Sequence, residues 1–233
     1  MNRTAQPVAQ TARQVTADLD GFVDRHFNRK LSGPLTRLFL RLGLSPNTIT
    51  ILAFLIGLAA AGSFALGTYV AGIVGALLFQ LSAIVDCCDG EVARLTNRQT
   101  PFGAQLDIAT DNVVHMAIFA GIAWGLFTHP GSGSGSWLPL VLGAAAVLGN
   151  GFSFWMVSRA KALRDRQAWA DPTQAARMEF ILKHVASRDF SVLVLLLALL
   201  DWLGWFLWLA AIGSNVFWIM TAWVSRPATT ARA

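Results

Sequence analysis

Four aspartates stand close together in the middle of the chain. Asp86 and Asp89 are three positions apart, and Asp107 and Asp111 are four apart, so the members of each pair share one face of a helix. Clustered carboxylates repel one another unless cations lie between them, and two divalent ions would balance the four charges. Carboxylate oxygens favour Mg²⁺ or Mn²⁺ over zinc, and paired ions of this kind serve phosphoryl transfer. The spacing therefore predicts a site for two divalent cations, Mg²⁺ or Mn²⁺.

The composition predicts that the helices carrying these aspartates span a membrane. Apolar residues make up 55% of the 233 residues and charged residues 13%, about half the charged share of a typical soluble domain. Since a span needs about 20 residues, the apolar segments predict six spans, near 48–67, 70–94, 101–127, 137–158, 188–202 and 204–225. The last two are separated by a predicted turn at Asp201–Trp205. The predicted fold class is all-α, a polytopic membrane protein with six transmembrane helices.

A further helix is predicted just before the first span. Ser32-Gly33-Pro34 has the pattern of a helix start with proline at the first helical position, and apolar residues then recur at helical spacing, at Leu35, Leu38, Phe39 and Leu42. This pattern is typical of an amphipathic helix that lies in the membrane interface. The predicted organisation is a juxtamembrane segment at 1–45, a transmembrane domain at 46–226 and a short tail at 227–233.

The basic residues predict the orientation of the spans. All 18 lysines and arginines lie before span one, around the connection of spans two and three, in the connection of spans four and five, or after span six. Connections rich in basic residues face the cytoplasm. We therefore expect both termini and the aspartates at the cytoplasmic face of the inner membrane. The basic residues are not interleaved with aromatic ones, so the partners expected are membrane lipids and not nucleic acid.

The segment from Asp86 to Asp111 resembles the signature of the CDP-alcohol phosphotransferase family. It matches D-x-x-D-G-x-x-A-R, eight residues, then G-x-x-x-D-x-x-x-D at every fixed position. The resemblance implies a homodimeric enzyme that uses a CDP-alcohol donor, such as CDP-diacylglycerol, and a hydroxyl acceptor, and that releases CMP. It implies that Asp86, Asp89 and Asp107 hold the metals, and that Asp111 contributes a metal contact and acts as catalytic base.

The resemblance also implies a nucleotide site. Its expected residues are the small or basic ones of the signature, Gly90, Ala93, Arg94 and Gly103. The segment Ser45–Thr50 resembles the family's Pro-Asn-x-x-Thr entry to span one, which adds Asn47 and Thr50. The same segment is a capping pattern, with Ser45 as N-cap and Pro46 at the first helical position, and Thr100-Pro101 forms the same pattern at the start of span three. The two roles are compatible.

The sequence says less about the acceptor site than about the metal and nucleotide sites. Four basic residues lie near the cytoplasmic ends of spans four and five: Arg159, Lys161, Arg164 and Arg188. They suit an anionic acceptor such as a phosphorylated polyol, and equally suit orientation in the membrane and contact with lipid headgroups. Asn112 stands where phosphatidylinositol-phosphate synthases commonly have arginine. His115, one turn beyond Asp111, suits either a supporting role at the site or burial in the core.

A cation transporter with a carboxylate site in the membrane is the alternative function. Transporters commonly place such sites near the midplane, on broken helices in repeated halves. Here the aspartates are expected near one face, and the sequence contains no second copy of their pattern. The expected position of the aspartates and the single copy of their pattern therefore favour the phosphotransferase.

Overall fold

The computed structural model describes residues 29–129, 136–165 and 190–224. Within these ranges the chain is entirely helical, with no strand, as predicted. The helices are α1 Arg29–Arg41, α2 Pro46–Ala65, α3 Tyr69–Leu95, α4 Pro101–Thr128, α5 Leu138–Asp165, α6 Phe190–Leu199 and α7 Leu203–Val224.

Five helices are long and apolar enough to cross a membrane. They are α2, α3, α4, α7 and the Leu138–Met156 part of α5, and each lies close to a predicted span. The predicted span at 188–202 corresponds to α6, which has only 10 described residues and is too short by itself to cross a bilayer. The structure therefore supports five of the six spans. The predicted turn is present, because α6 ends at Leu199 and Asp201 adopts a positive φ of 58° before α7 begins.

Two of the helices that carry site residues, α2 and α4, begin with the same capping pattern. Ser45 caps α2 by accepting a hydrogen bond from the backbone N–H of Thr48, and Pro46 is the first helical residue. Thr100 caps α4 in the same way through Gly103, followed by Pro101. The side-chain oxygen of the cap accepts a hydrogen bond from an N–H group that has no partner within the helix. Proline suits the first helical position because no N–H group is needed there. These caps confirm the capping predictions and fix where both helices start.

Helix α1 differs from its prediction at its N-terminus. It already begins at Arg29 within the described residues, and Pro34 lies inside it, so the predicted start at Ser32-Gly33-Pro34 is wrong. The physical reason is the environment of Ser32, which is fully buried and donates its hydroxyl to Glu91 of α3 instead of capping α1. Leu38 and Leu42 are exposed, whereas Phe39 is buried against the protein.

Close packing of α4 on α2 builds the centre of the fold. A Cβ on Gly121 would collide with the carbonyl of Ala61, and one on Gly125 with the carbonyl of Phe64. Glycines four apart let two membrane helices approach at backbone distance. Helix α2 also packs along α3, so α2 contacts both of the helices that carry the aspartates.

The outward faces of the helices are apolar. On α3, exposed side chains recur at helical spacing at Val70, Val74, Leu77 and Leu81. Such a continuous stripe would be unfavourable in water but suits contact with lipid chains. The described helices are therefore those of a multi-pass membrane protein.

Candidate active site

Three carboxylates from two helices converge at one end of the α3–α4 pair. One oxygen from each of Asp86, Asp89 and Asp107 can be chosen so that all three lie within 4.8 Å of one another. Asp86 and Asp89 are 5% and 7% exposed, and Asp107 is half-buried. Asp86 and Asp89 lie in the C-terminal half of α3 and Asp107 in the second turn of α4. The structure thus brings together three of the four predicted metal ligands.

Thr50 of α2 completes one side of this cluster. Its Oγ1 donates a hydrogen bond to Oδ2 of Asp89 and lies 3.1 Å from the carbonyl of Pro46. Thr50 is 3% exposed, so the bond is shielded from water. A buried hydroxyl donor of this kind restrains the orientation of the carboxylate that it contacts.

A cavity of about 320 Å³ extends from the carboxylates toward the ends of the helices. Asp89 and Asp107 line one end of it. All six residues predicted for nucleotide binding line it as well: Asn47, Thr50, Gly90, Ala93, Arg94 and Gly103. From Asp107 to the α4 cap at Thr100 the distance along the axis is about 10 Å, at 1.5 Å per residue. The cavity therefore runs from the carboxylates past the first two turns of α4.

Small residues keep this cavity open. A Cβ on Gly103 would lie 3.1 Å from both Asn47 Oδ1 and Thr100 Oγ1, and one on Gly90 would lie 3.2 Å from Arg94 Nη1. These distances are tighter than ordinary contact, so larger side chains would fill the cavity or displace its polar groups. The need for space in the cavity therefore explains glycine at these two positions, beyond any role in helix packing.

Two cavity residues, Arg98 and Gln99, were not predicted from the sequence. Asn97 takes a left-handed φ of 52° after α3, and the N–H groups of Asn97 and Arg98 bond to the carbonyls of Arg94 and Ala93. This pattern is a Schellman cap, and asparagine tolerates its left-handed position. The cap folds the chain back so that Arg98 and Gln99 reach the cavity. An asparagine just past the end of α3 was the available signal.

Asp111 lies one helical turn beyond Asp107, about 6 Å along α4, and outside the group of three converging carboxylates. Its neighbour Asn112 accepts a hydrogen bond from Nδ2 of Asn150 on α5. The ring centre of His115 is 4.6 Å from that of Phe190 and 6.0 Å from that of Phe79. His115 thus packs among aromatic rings on the core side of the aspartates.

The predicted acceptor residues are only partly described. Arg159 is exposed, and its guanidinium carbon lies 5.5 Å from the ring centre of Trp155. It does not line the cavity at Asp89 and Asp107. Arg188 and the side chains of Lys161 and Arg164 lie outside the described residues.

The converging carboxylates fit a hard divalent cation. The available donors are oxygens only, two of the three aspartates are buried, and their oxygens are close enough to share an ion. Magnesium and manganese bind such oxygen sets, whereas structural zinc sites prefer histidine and cysteine. Cys87 and Cys88, which neighbour these aspartates in sequence, are not members of the group.

The family model for CDP-alcohol phosphatidyltransferases matches residues 43–216. The chain belongs to this family. The matched range contains the cap of α2, the aspartates of α3 and α4, and most of α7. The resemblance of the sequence to this family is confirmed.

Curated relatives include two kinds of enzyme. The chain is 30% identical over 205 residues to the bifunctional IPC transferase and DIPP synthase of Aquifex aeolicus, covering 88% of this chain and 44% of the relative. It is 36% identical over 108 residues to the phosphatidylinositol phosphate synthase of Mycobacteroides abscessus, covering 46% and 47% of the two chains. The chain thus spans less than half the length of these relatives.

The fold is similar to that of a solved family structure. The phosphatidylinositol phosphate synthase of Mycobacterium tuberculosis, in complex with manganese and citrate, matches 87% of this chain and 93% of its own, with a TM-score of 0.60 and 22% identity. The same enzyme with CDP-DAG bound gives a TM-score of 0.59 at 22% identity, covering 88% and 98%. At this identity the likeness concerns the fold.

Proposed function

We propose that the chain transfers a phospho-alcohol group from a CDP-alcohol to a hydroxyl acceptor and releases CMP. The observation that carries the proposal is the convergence of Asp86, Asp89 and Asp107 beside a cavity that Asp89, Asp107 and all the predicted nucleotide-binding residues line. A diphosphate at the carboxylate end would place its nucleoside toward Arg98 and Thr100. CDP-diacylglycerol is the donor we favour, since a related structure holds CDP-DAG.

Asp86, Asp89 and Asp107 would hold two divalent ions, Mg²⁺ or Mn²⁺. Ions bound there would neutralise the diphosphate and stabilise the charge that develops on transfer. A related enzyme has been solved with manganese. Thr50 keeps Asp89 oriented toward the cluster, and Arg94 and Arg98 supply positive charge along the cavity.

Asp111 acts as the catalytic base and makes an additional metal contact in this proposal. The acceptor oxygen attacks the β-phosphorus and forms a new P–O bond, while its proton passes to Asp111. The bond from the β-phosphorus to the bridging oxygen breaks, and CMP leaves with that electron pair. The position of Asp111, one turn further into the bundle than Asp107, suits an acceptor that meets the phosphate from the inner side.

The acceptor is proposed to be a polyol, neutral or phosphorylated. Arg159, Lys161, Arg164 and Arg188 would favour the phosphorylated form because arginine binds phosphate well. At the position where phosphatidylinositol-phosphate synthases commonly carry arginine, this chain has Asn112, which pairs with the amide of Asn150. That pair can donate and accept hydrogen bonds, and would suit a sugar hydroxyl.

We also propose the membrane arrangement predicted from the sequence. It comprises an interfacial α1, six spans with 188–202 as the fifth, and a transmembrane domain at 46–226 between short terminal segments. Both termini and the aspartates would face the cytoplasm at the inner membrane, and two chains would form a homodimer. The exposed Leu38 and Leu42 of α1 support its contact with lipid.

Release of CMP by the purified chain tests the proposal. The assay would combine CDP-diacylglycerol and shorter CDP-alcohols with neutral and phosphorylated polyols, and Asp89→Asn would serve as the control. We expect CMP release that needs an acceptor and is lost in the control. No CMP from any pair, together with manganese uptake into vesicles, would instead establish the cation transporter.

A further inference from the structure

Glu91 lies inside the signature segment but outside the carboxylate cluster. It is two residues from Asp89, roughly 200° around the helix, so the two side chains leave α3 on nearly opposite faces. Glu91 is not a member of the converging group of Asp86, Asp89 and Asp107. Glu91 occupies a variable position of the signature, so the signature assigns no role to it.

Both oxygens of Glu91 are held by α1. Ser32 Oγ donates to Oε1 at 2.9 Å, and Thr36 Oγ1 donates to Oε2 at 2.6 Å. The two hydroxyl residues are one helical turn apart and are 0% and 3% exposed. Phe39 continues the same face of α1 and packs into an apolar cluster with residues of α2 and α3. The polar pair and the phenyl ring together dock α1 on α3.

This contact completes a closed series of links that includes Asp89. From α1 the chain passes through a short turn, held by the bond from Leu44 N–H to the Phe39 carbonyl, into the first turn of α2. That turn carries Asn47, at the cavity, and leads to Thr50, which donates to Asp89. Asp89 is joined to Glu91 through the backbone of α3. Each link in this series is either a continuous stretch of the chain or a hydrogen bond described above.

We propose that Glu91 is a positioning residue that, by docking α1, fixes Thr50 and Asn47 relative to Asp89 and so sets the affinity of the site for its metal and its donor. It touches neither ligand, and its effect passes through α1 and α2. Groups that hydrogen-bond a metal ligand directly, as Thr50 does with Asp89, typically change metal affinity by 10–100-fold, so we expect Glu91, which acts through Thr50, to have an effect at the lower end of that range. The inference rests on the proposed function only for the identity of the donor.

The test is manganese binding, measured by calorimetry with Mn²⁺ alone on purified chains. We expect Glu91→Ala to weaken binding roughly tenfold, and the Ser32→Ala/Thr36→Val pair to do the same. Glu91→Gln, which keeps an acceptor and the side-chain shape, should stay within about threefold of the wild type. Combining Glu91→Ala with the paired change should add little, because both remove one contact.

A kinetic comparison separates positioning from a purely structural role. A positioning role raises the KM for the CDP-alcohol and leaves kcat at saturating metal and donor nearly unchanged. If Glu91 had only a structural role, the variant would contain fewer folded molecules, which would lower the apparent kcat and leave the KM and the manganese affinity unchanged. If Glu91→Ala does not fold, Thr36→Val, which keeps the volume, carries the test alone.

Unchanged manganese affinity in Glu91→Ala or, if that chain does not fold, in Thr36→Val would overturn the inference. Losses that multiply in the combined variant would overturn it too. Because calorimetry needs no turnover, these results stand apart from a failure of the proposed function, which would appear as absence of CMP release in the wild type.

Discussion

At the scale of residues, the aspartates divide into two groups. Asp86, Asp89 and Asp107 converge, whereas Asp111 stands one turn further along α4. The proposed metal ligands and the proposed base are therefore separate in position, and this separation predicts different consequences when each is changed. A metal ligand affects donor binding, because the donor's diphosphate would be held through the metal. A base affects only the proton transfer.

Asp111→Asn and Asp89→Asn test this division. We expect Asp111→Asn to lose about 10²–10⁴-fold in turnover while still binding the CDP-alcohol in a metal-dependent way, since asparagine keeps the shape and one oxygen. Asp89→Asn should lose both properties. Donor binding by calorimetry beside CMP release measures them. Normal turnover in Asp111→Asn would assign the base elsewhere, and equal loss of donor binding in both variants would make Asp111 chiefly a ligand.

The signature residues could be placed from the sequence, whereas their supporting contacts could not. Helical spacing placed each aspartate pair on one face of its helix, and the predicted spans placed both pairs at the same side of the membrane. The contacts of Glu91 with Ser32 and Thr36 join positions more than 50 residues apart, and no local pattern encodes such a pairing. Arg98 and Gln99 were missed because their reach into the cavity depends on the left-handed turn at Asn97.

At the scale of elements, the centre of the fold depends on the close packing of α4 on α2. Gly121→Ala should lower the free energy of unfolding by about 1–3 kcal/mol, because its Cβ meets the backbone of Ala61, which cannot give way. Gly62→Ala on α2 is the matched control, since nothing lies within 4 Å of a Cβ there. Thermal unfolding in detergent compares the two. Equal stability of both variants would show that this close packing is not required.

Helix boundaries followed closely from hydropathy and caps, and failed where a tertiary contact intervened. The starts of α2 and α4 were predicted because Ser-Pro and Thr-Pro encode them locally. The start of α1 was misplaced because Ser32-Gly33-Pro34 was interpreted as a helix start, whereas Ser32 lies inside the helix and bonds to Glu91. The predicted span at 188–202 matches only the short α6 among described residues.

At the scale of the whole molecule, the distribution of basic residues predicts which ends face the cytoplasm. Ser136 and Thr96 are exposed and lie at opposite ends of the predicted spans. In intact cells an impermeant thiol reagent should label Ser136→Cys, and should label Thr96→Cys only after lysis. The unsubstituted chain, with Cys87 and Cys88, supplies the background. The reverse pattern would place the carboxylates at the outer face and contradict the proposed orientation.

The central claim, that the carboxylate cluster uses divalent ions to cleave a CDP-alcohol, is tested most directly by titrating CMP release with Mn²⁺. After thorough chelation the wild type should release no CMP, and Mn²⁺ or Mg²⁺ should restore release. Asp86→Asn, Asp89→Asn and Asp107→Asn should each need far more metal or remain inactive, because each loses a charged ligand. Full CMP release after chelation, or a wild-type metal dependence in all three variants, would contradict the account.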